Sequence, residues 1–448
     1  MRYVHVNGNH IHACYAFRSF LDENGCHFPK KYNPPVHWEE LFDNPEWTIS
    51  TPGKPSAPRP NRQLTYSKQL LELEAVKGKD FGCEALYLDP GWDTAFGTMI
   101  WGSEWLGPRK DFIQEIRKKF GLKVSLHCAM ATWMSHPIHN QWNRDAGIAS
   151  WPKASFRMDE NGRVIDGSIC LGSRQYMDEM IRRVCEHCDD GVVFLMFDGN
   201  QWNGGCWNRD HGHPVPYTME AHCRAQLELA QQIHKRFPQV LIEQHDQVVG
   251  GSIEKYAPCY YKYGLPGSYD EGWAMEMMWH SMQDIRNGQA RMLYYWSLGC
   301  NVPLYIHIDL RGDNEHSLML WWYASTCRHL GIGGTHENQV IAQAQKLAMH
   351  KYRSLDRFFK RGNFYGISEA IHLHVLPEEC AFVVNLFNFS DESCTVGGAI
   401  EAGVLGLDQD RWYDCPKGTS FDPKTKTFRI NRFMSPWSAQ VTYVHPLV

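Results

Sequence analysis

Short apolar runs alternate with helix-period stretches over most of the chain. The runs are EALYLD at 84–89, KVSLHC at 123–128, VVFLMFD at 192–198, QVLIE at 239–243 and VPLYIHID at 302–309. In RKDFIQEIRKKF, 109–120, the apolar Phe112, Ile116 and Phe120 recur every fourth residue, which is the helix period. EAHCRAQLELAQQIHKRF at 220–237 has the same pattern. Strands that are apolar on both faces, separated by helices, predict a parallel sheet covered on each side. Repeated over about 300 residues, such units favour a closed (β/α)8 barrel, assigned here to 33–361. From 362 onward, HLHVLP, AFVVNLFNFS, EAGVLGL, TFRI and AQVTYV alternate with turns and no helices. They predict a C-terminal antiparallel β-sandwich, 362–448. Residues 1–32 are expected to form a short N-terminal β segment, a hairpin turning at Asn7-Gly8-Asn9. TPGKPSAPRPNR, 51–62, is a loop by composition.

Composition narrows the class. The chain has 448 residues, is 43% hydrophobic and 21% charged, and carries a net charge of -5. That balance is ordinary for a globular protein and argues against a nucleic-acid partner, which calls for a basic face. No run of about 18 apolar residues occurs, so no membrane partner is expected. The first residues lack the charged start and apolar core of a signal peptide. Fifteen cysteines at irregular spacing fit a reducing compartment better than a disulfide framework. The expected location is therefore cytoplasmic, or secreted if a signal peptide has been removed.

The seventeen tryptophans change the picture more. Several, including Trp92, Trp202 and Trp273, fall just after strands or in loops. An aromatic ring there either packs in the core or stacks on the apolar C–H face of a sugar.

Acids at strand ends sharpen the reading. In a barrel, chemistry sits where strands end on the C-terminal face. Asp89 follows EALYL, Asp198 follows VVFLMF, Glu243 follows QVLI and Asp309 follows PLYIHI. Asp270 and Glu271 sit in PGSYDEGW, near where a sixth strand would end. Carboxylates converging on one mouth split in pKa, so that one stays ionised while another holds a proton. Glycoside hydrolysis uses such a pair.

These motifs together resemble glycoside hydrolase clan D, the α-galactosidase-like (melibiase-like) families 27 and 36, from about residue 33 to the end. NPPVHWEELFD at 33–43 is similar to the first barrel strand, YLDPGWD at 87–93 to the turn after the second, and FGLKVSLHC at 120–128 to the third. LMFDGN at 195–200 takes the place of the fourth strand, IEQHDQVVGG at 242–251 that of the fifth, and SYDEGW at 268–273 that of the acid/base segment. NEHSLMLWWYASTCRHLGIGG is similar to the segment leading into the eighth strand.

The resemblance implies a retaining α-glycosidase acting on a carbohydrate substrate without a cofactor. Asp198 would be the nucleophile and Asp270 the acid/base, with Glu271 as its rival. Asp89, Trp92, Asn200, Trp202, Glu243, Trp273 and Asp309 would bind substrate. Clan members often form homo-oligomers, and the oligomeric state here stays open. Two positions depart from the galactosidase pattern. Pro90 replaces a second Asp after strand two, and Met196 replaces the Lys two residues before the nucleophile. Each departure removes a polar partner of a galactose hydroxyl.

Two other classes remain. A metal-dependent barrel hydrolase is suggested by CWNRDHGHP, with Cys206, Asp210, His211 and His213, and by the strand-ending His127 and His307. No matching set of His-ended strands accompanies them, so no metal is expected. Cys185 and Cys188 form a lone CxxC, better explained as buried thiols. The second class is a carbohydrate-binding protein that has lost catalysis.

Overall fold

The computed structural model describes residues 8–24, 32–43, 66–130, 144–199, 202, 204–244, 259–260, 281–288, 290–300 and 303–447. The chain forms two compact units that interleave along the sequence. One holds 35–272 and 331–334, the other 1–34, 273–330 and 335–448.

The strands of the first sheet are β1 (His37–Glu39), β2 (Ala85–Leu88) and β3 (Lys123–Ala129). A two-stranded antiparallel hairpin follows, β4 (Phe156–Met158) with β5 (Val164–Ile169). The sheet then continues with β6 (Val192–Asp198), β7 (Leu241–Gln244), β8 (Cys259–Tyr260), β9 (Tyr305–Asp309) and β10 (His329–Gly333). The eight strands run in the order β8-β7-β6-β3-β2-β1-β10-β9. The first strand pairs in parallel with both the second and the last. An open doubly wound sheet would not bring its first and last strands together, whereas a (β/α)8 barrel must. Each apolar run of the sequence falls on one of these strands. The helix expected at 109–120 spans Arg109–Phe120 and ends on Gly121, whose φ of +77° is a left-handed cap that glycine adopts without strain. The second predicted helix spans Met219–Arg236.

Register explains why these strands look apolar yet carry chemistry. Glu39 pairs with Tyr87, Tyr87 with Ser125, Ser125 with Phe194, His127 with Met196, and Met196 with Glu243. Paired residues share a face, so all of these lie on one side, with Asp198 at its end. The opposite face, with Trp38, Leu86, Leu126, Leu195 and Ile242, is buried and apolar. Trp38 meets the helix Lys68–Asp80, donating its indole N–H to Glu74 Oε2 at 2.8 Å. Gly78 makes that approach possible, because a Cβ there would lie 2.7 Å from Trp38 Cβ. The strands are buried on both faces as expected, but one of those faces is polar.

The second unit contains the predicted antiparallel domain, built on β11 (Asn363–Ser368), β12 (Ile371–Leu376), β13 (Ala381–Asn388), β14 (Cys394–Glu401), β15 (Tyr413–Asp414), β16 (Thr419–Asp422), β17 (Thr427–Met434) and β18 (Ser438–Pro446). A five-stranded sheet β11-β12-β13-β18-β15 and a three-stranded sheet β14-β17-β16 enclose a core of Leu373, Val384, Leu386, Phe428 and Ile430. The other face of β12 packs on helices of the same unit. Ser325 Oγ bonds both His372 Nδ1 and His374 Nε2 at 2.9 Å, and Phe359 meets His374 edge-on.

Two local expectations fail. The N-terminal hairpin is instead a helix, His10–Glu23. Asn9, read as a turn residue, is its N-cap and accepts the Ile11 and His12 N–H groups. Ile11, Cys14, Tyr15 and Arg18 form the half-buried stripe of this helix, and Tyr15 Oη donates to Gly366 O at 3.1 Å. EAGVLGL is not a strand beyond Glu401. Ala402–Leu407 is a turn closed by Leu407 N–H to Ala402 O, with Gly406 at φ +68°. Its Leu405 and Leu407 plug the sandwich core, which is why the segment is apolar without being extended.

Candidate active site

Asp198 is the last residue of β6 and is fully buried. Its Oδ2 lies 3.0 Å from His127 Nε2, at the end of the neighbouring β3, and its Oδ1 accepts the Gly199 N–H at 2.5 Å. Gly199 has φ +79°, so the chain turns sharply away just past the carboxylate, and only glycine does so without strain. A carboxylate only accepts or holds a proton, so His127 presents Nε2–H to the ionised form. Sequence reasoning treated His127 as a metal candidate. It is a side-chain hydrogen-bond partner of Asp198, and the two-residue strand alternation that aims it at Asp198 was the available signal.

Around this pair stand further buried acids. Asp89 follows β2, is 3% exposed, and its backbone N–H donates to Glu40 Oε1 at 3.3 Å. Glu243 is fully buried on β7, opposite Met196. Glu39 and Glu40, at the end of β1, are also buried and were not singled out in the sequence. Met196, standing where the resemblance implies Lys, takes the Tyr87 hydroxyl on its sulfur at 2.6 Å.

The tryptophans divide. Trp92, expected to pack on a sugar ring, is a core residue, 1% exposed. Its indole N–H donates to His127 O at 2.8 Å and its ring meets His187 edge-on. It therefore braces β3 behind His127. Trp202, in the loop after β6, is 38% exposed. Asn200, Asp270, Glu271 and Trp273 lie outside the described residues. Asp309 belongs to the other unit, where its carboxylate is held by Arg311 at 2.8 and 2.9 Å. It caps the turn after β9 through the Arg311 N–H.

The loop after β2 is anchored by a buried acid. Asp93 accepts the Thr98 N–H at 3.1 Å, and burial pushes its pKa up to about 7. His187 braces the same loop through Nε2–H to Met99 O, and burial lowers its pKa to about 4. Cys185 and Cys188 are buried free thiols in the helix Arg174–Asp189, as expected.

A separate cluster joins the β4–β5 hairpin to the loop after β6. Cys170, just past β5, joins Cys206, His211 and His213, with all four ligand atoms within 4.8 Å of one another. Asp210 is not part of it. Cys170 was missed in the sequence because it lies far upstream of the other three.

No protein-family model matches the sequence, and no curated protein does. Solved structures do match. The family 36 α-galactosidase AgaA of Geobacillus stearothermophilus is 12% identical, with a TM-score of 0.66 over 99% of this chain and 60% of that one. The α-galactosidase of Lactobacillus brevis is 12% identical, with a TM-score of 0.64 over 99% and 59%. An α-amylase of Geobacillus thermoleovorans is 13% identical, with a TM-score of 0.54 over 92% and 98%. The chain thus spans about 60% of the galactosidases it matches. No helix among the described residues is long and apolar enough to cross a membrane. With its barrel followed by an antiparallel β domain, the chain has the fold of the family 36 α-galactosidases, consistent with the clan D resemblance.

Proposed function

We propose that this protein is a retaining glycoside hydrolase acting on an α-linked sugar. One observation carries the reading: a fully buried Asp198 at the C-terminal end of the fourth barrel strand, hydrogen-bonded to His127. The barrel's C-terminal end is where this fold places its chemistry. The fold likeness to α-galactosidases adds support.

In the proposed reaction Asp198 attacks the anomeric carbon and forms a glycosyl-enzyme while the glycosidic oxygen leaves. Asp270 gives that oxygen a proton and later takes one from the attacking water. Glu271 is the alternative for that role. His127 holds the Asp198 carboxylate in one rotamer, and its N–H favours the ionised form that a nucleophile needs. Asp89 and Glu243 hold ring hydroxyls, and Trp202 offers a stacking surface.

The preferred sugar is a separate matter. Met196 and Tyr87 satisfy each other where a galactosidase would use Lys on a hydroxyl. A lost polar partner costs about 1–3 kcal/mol, enough to move preference away from galactose. The test is a panel of aryl α-glycosides hydrolysed by wild type and Asp198→Asn, with NMR of the first anomer released. Turnover with retention, lost in the variant, is expected. A folded wild type that hydrolyses no α-glycoside refutes the reading.

A further inference from the structure

We infer that Cys170, Cys206, His211 and His213 form a structural zinc site that clamps the β4–β5 hairpin to the loop following β6. The ligand geometry is already close to that of the bound metal. Cys170 Sγ is 3.4 Å from His213 Nε2, and Cys206 Sγ is 3.5 Å from His211 Nδ1. A tetrahedral zinc with its usual bond lengths sets sulfur and nitrogen ligands roughly 3.5 Å apart and two sulfurs roughly 3.8 Å apart. All four atoms lie within 4.8 Å of one another, so small side-chain shifts complete the tetrahedron.

The second observation is how the rings are held. His211 Nε2 lies 2.7 Å from Ala154 O, and His213 Nδ1 lies 2.8 Å from Pro214 O. A carbonyl only accepts, so the Pro214 contact puts the ring proton of His213 on Nδ1, and the shorter of two contacts at His211 Nε2, Ala154 O at 2.7 Å against Asn208 Nδ2 at 3.0 Å, puts that of His211 on Nε2. The opposite nitrogens then turn lone pairs toward the sulfurs. Zinc-ligating histidines are oriented by backbone carbonyls in this way. Both cysteines and His211 are buried, and His213 lines a cavity of about 210 Å³.

Charge and packing point the same way. Zinc with two thiolates and two neutral imidazoles is neutral overall, which suits a buried place. Arg157, bonded to Gly205 O at 2.6 Å, stands near both sulfurs. Among the described residues the apolar cluster here is Cys170, Cys206 and Tyr217, with Ala221 packed against it. Such a small core leaves a long loop underdetermined, and a metal with four protein ligands supplies the missing constraint. Four protein ligands leave no open position, so the ion is structural.

The test uses the full chain purified under reducing conditions without added chelator. Elemental analysis should find one zinc per chain. Cobalt exchanged into the site should give the visible bands of a tetrahedral ion and the near-ultraviolet thiolate charge transfer. Cys206→Ser and Cys170→Ser should each weaken cobalt binding on the order of 100-fold, while Cys223→Ser, a cysteine outside the cluster, should not. Wild type alone decides the matter if the variants fail to fold. Failure to bind zinc or cobalt stoichiometrically, an octahedral cobalt spectrum, or a Cys170–Cys206 disulfide would each overturn the inference.

Discussion

Two buried polar clusters in one unit make an instructive pair. Asp198 and His127 sit at adjacent strand ends, 3.0 Å apart, with the chain turning away immediately beyond them. Cys170, Cys206, His211 and His213 sit in loops, facing one another with their ring protons already engaged. In the proposed function the first pair supplies the nucleophile at the end of a barrel strand. The second set satisfies itself around one ion. Position in the fold separates chemistry from bracing, even where residue types overlap.

That division predicts opposite effects of substitution. Asp198→Asn should lower kcat by on the order of 10⁴-fold or more, as losses of a nucleophile or its partner do. Its Tm should fall little, because the amide keeps the shape and the Gly199 N–H bond. Steady-state kinetics beside thermal melts check both halves. A large fall in Tm with modest loss of turnover would reverse the two roles and break the comparison. At the other cluster, removing the metal with a chelator should lower Tm by several degrees, since each lost kcal/mol shifts a unit of this size by about 2–4 °C. Readdition of zinc should restore it.

A subtler change sharpens the catalytic side. His127→Leu removes the hydrogen bond to Asp198 while leaving the carboxylate in place. Hydrogen bonds to charged groups contribute about 1.5–3 kcal/mol, so kcat/KM should drop about 10- to 100-fold. His127→Gln, which can still donate an N–H, should recover part of the loss. An equal fall in both variants would assign His127 to packing beneath Trp92 rather than to positioning.

Legibility in the sequence followed locality. β3, β6 and the helix Arg109–Phe120 were visible because their periodicity is carried by consecutive residues. Asp198 was visible because a carboxylate ends an apolar run. His127 was named but misassigned, since its partner lies on another strand and only register brings the two together. The zinc cluster was half visible. Cys206, His211 and His213 stand close in sequence, but without Cys170 they resemble an incomplete set. The N-terminal helix was misread because Asn-Gly-Asn serves equally as a turn and as a cap, and packing of Tyr15 and Arg18 decides between them. Trp92 was misread because a tryptophan after a strand can face either the cleft or the core.

Asp93 offers a pH test of how the loop after β2 is braced. Burial raises its pKa to about 7 in the folded protein, against 3.8 for the ordinary carboxyl. Between those values the folded state binds a proton that the unfolded state has released. Stability from this group is therefore present at low pH and is lost as pH rises from about 4 to about 7. The total is at most roughly 4 kcal/mol. Asp93→Asn cannot ionise and keeps an acceptor for Thr98 N–H. Denaturation at a series of pH values should show the variant gaining on wild type across that window, with no further gain above it. A constant difference would mean that Asp93 is already ionised when folded.

The smallest expected effect probes the zinc clamp without touching a ligand. Gly172 follows Cys170 by two residues and lies against the cluster. A Cβ built on it would be 2.4 Å from Tyr217 Cε2 and 2.9 Å from His213 Cδ2. Gly172→Ala must therefore displace one of these rings, and His213, the more exposed ligand, has the cavity beside it to move into. Cobalt affinity should weaken by on the order of 10-fold, the range for a disturbed outer partner, with all four ligands still present. The tetrahedral spectrum should persist at saturating cobalt. If the affinity is unchanged, Tyr217 yields instead of His213, and the clamp tolerates movement on that side. Activity toward the aryl glycoside should stay within about 2-fold, well below the effect of losing the His127 hydrogen bond.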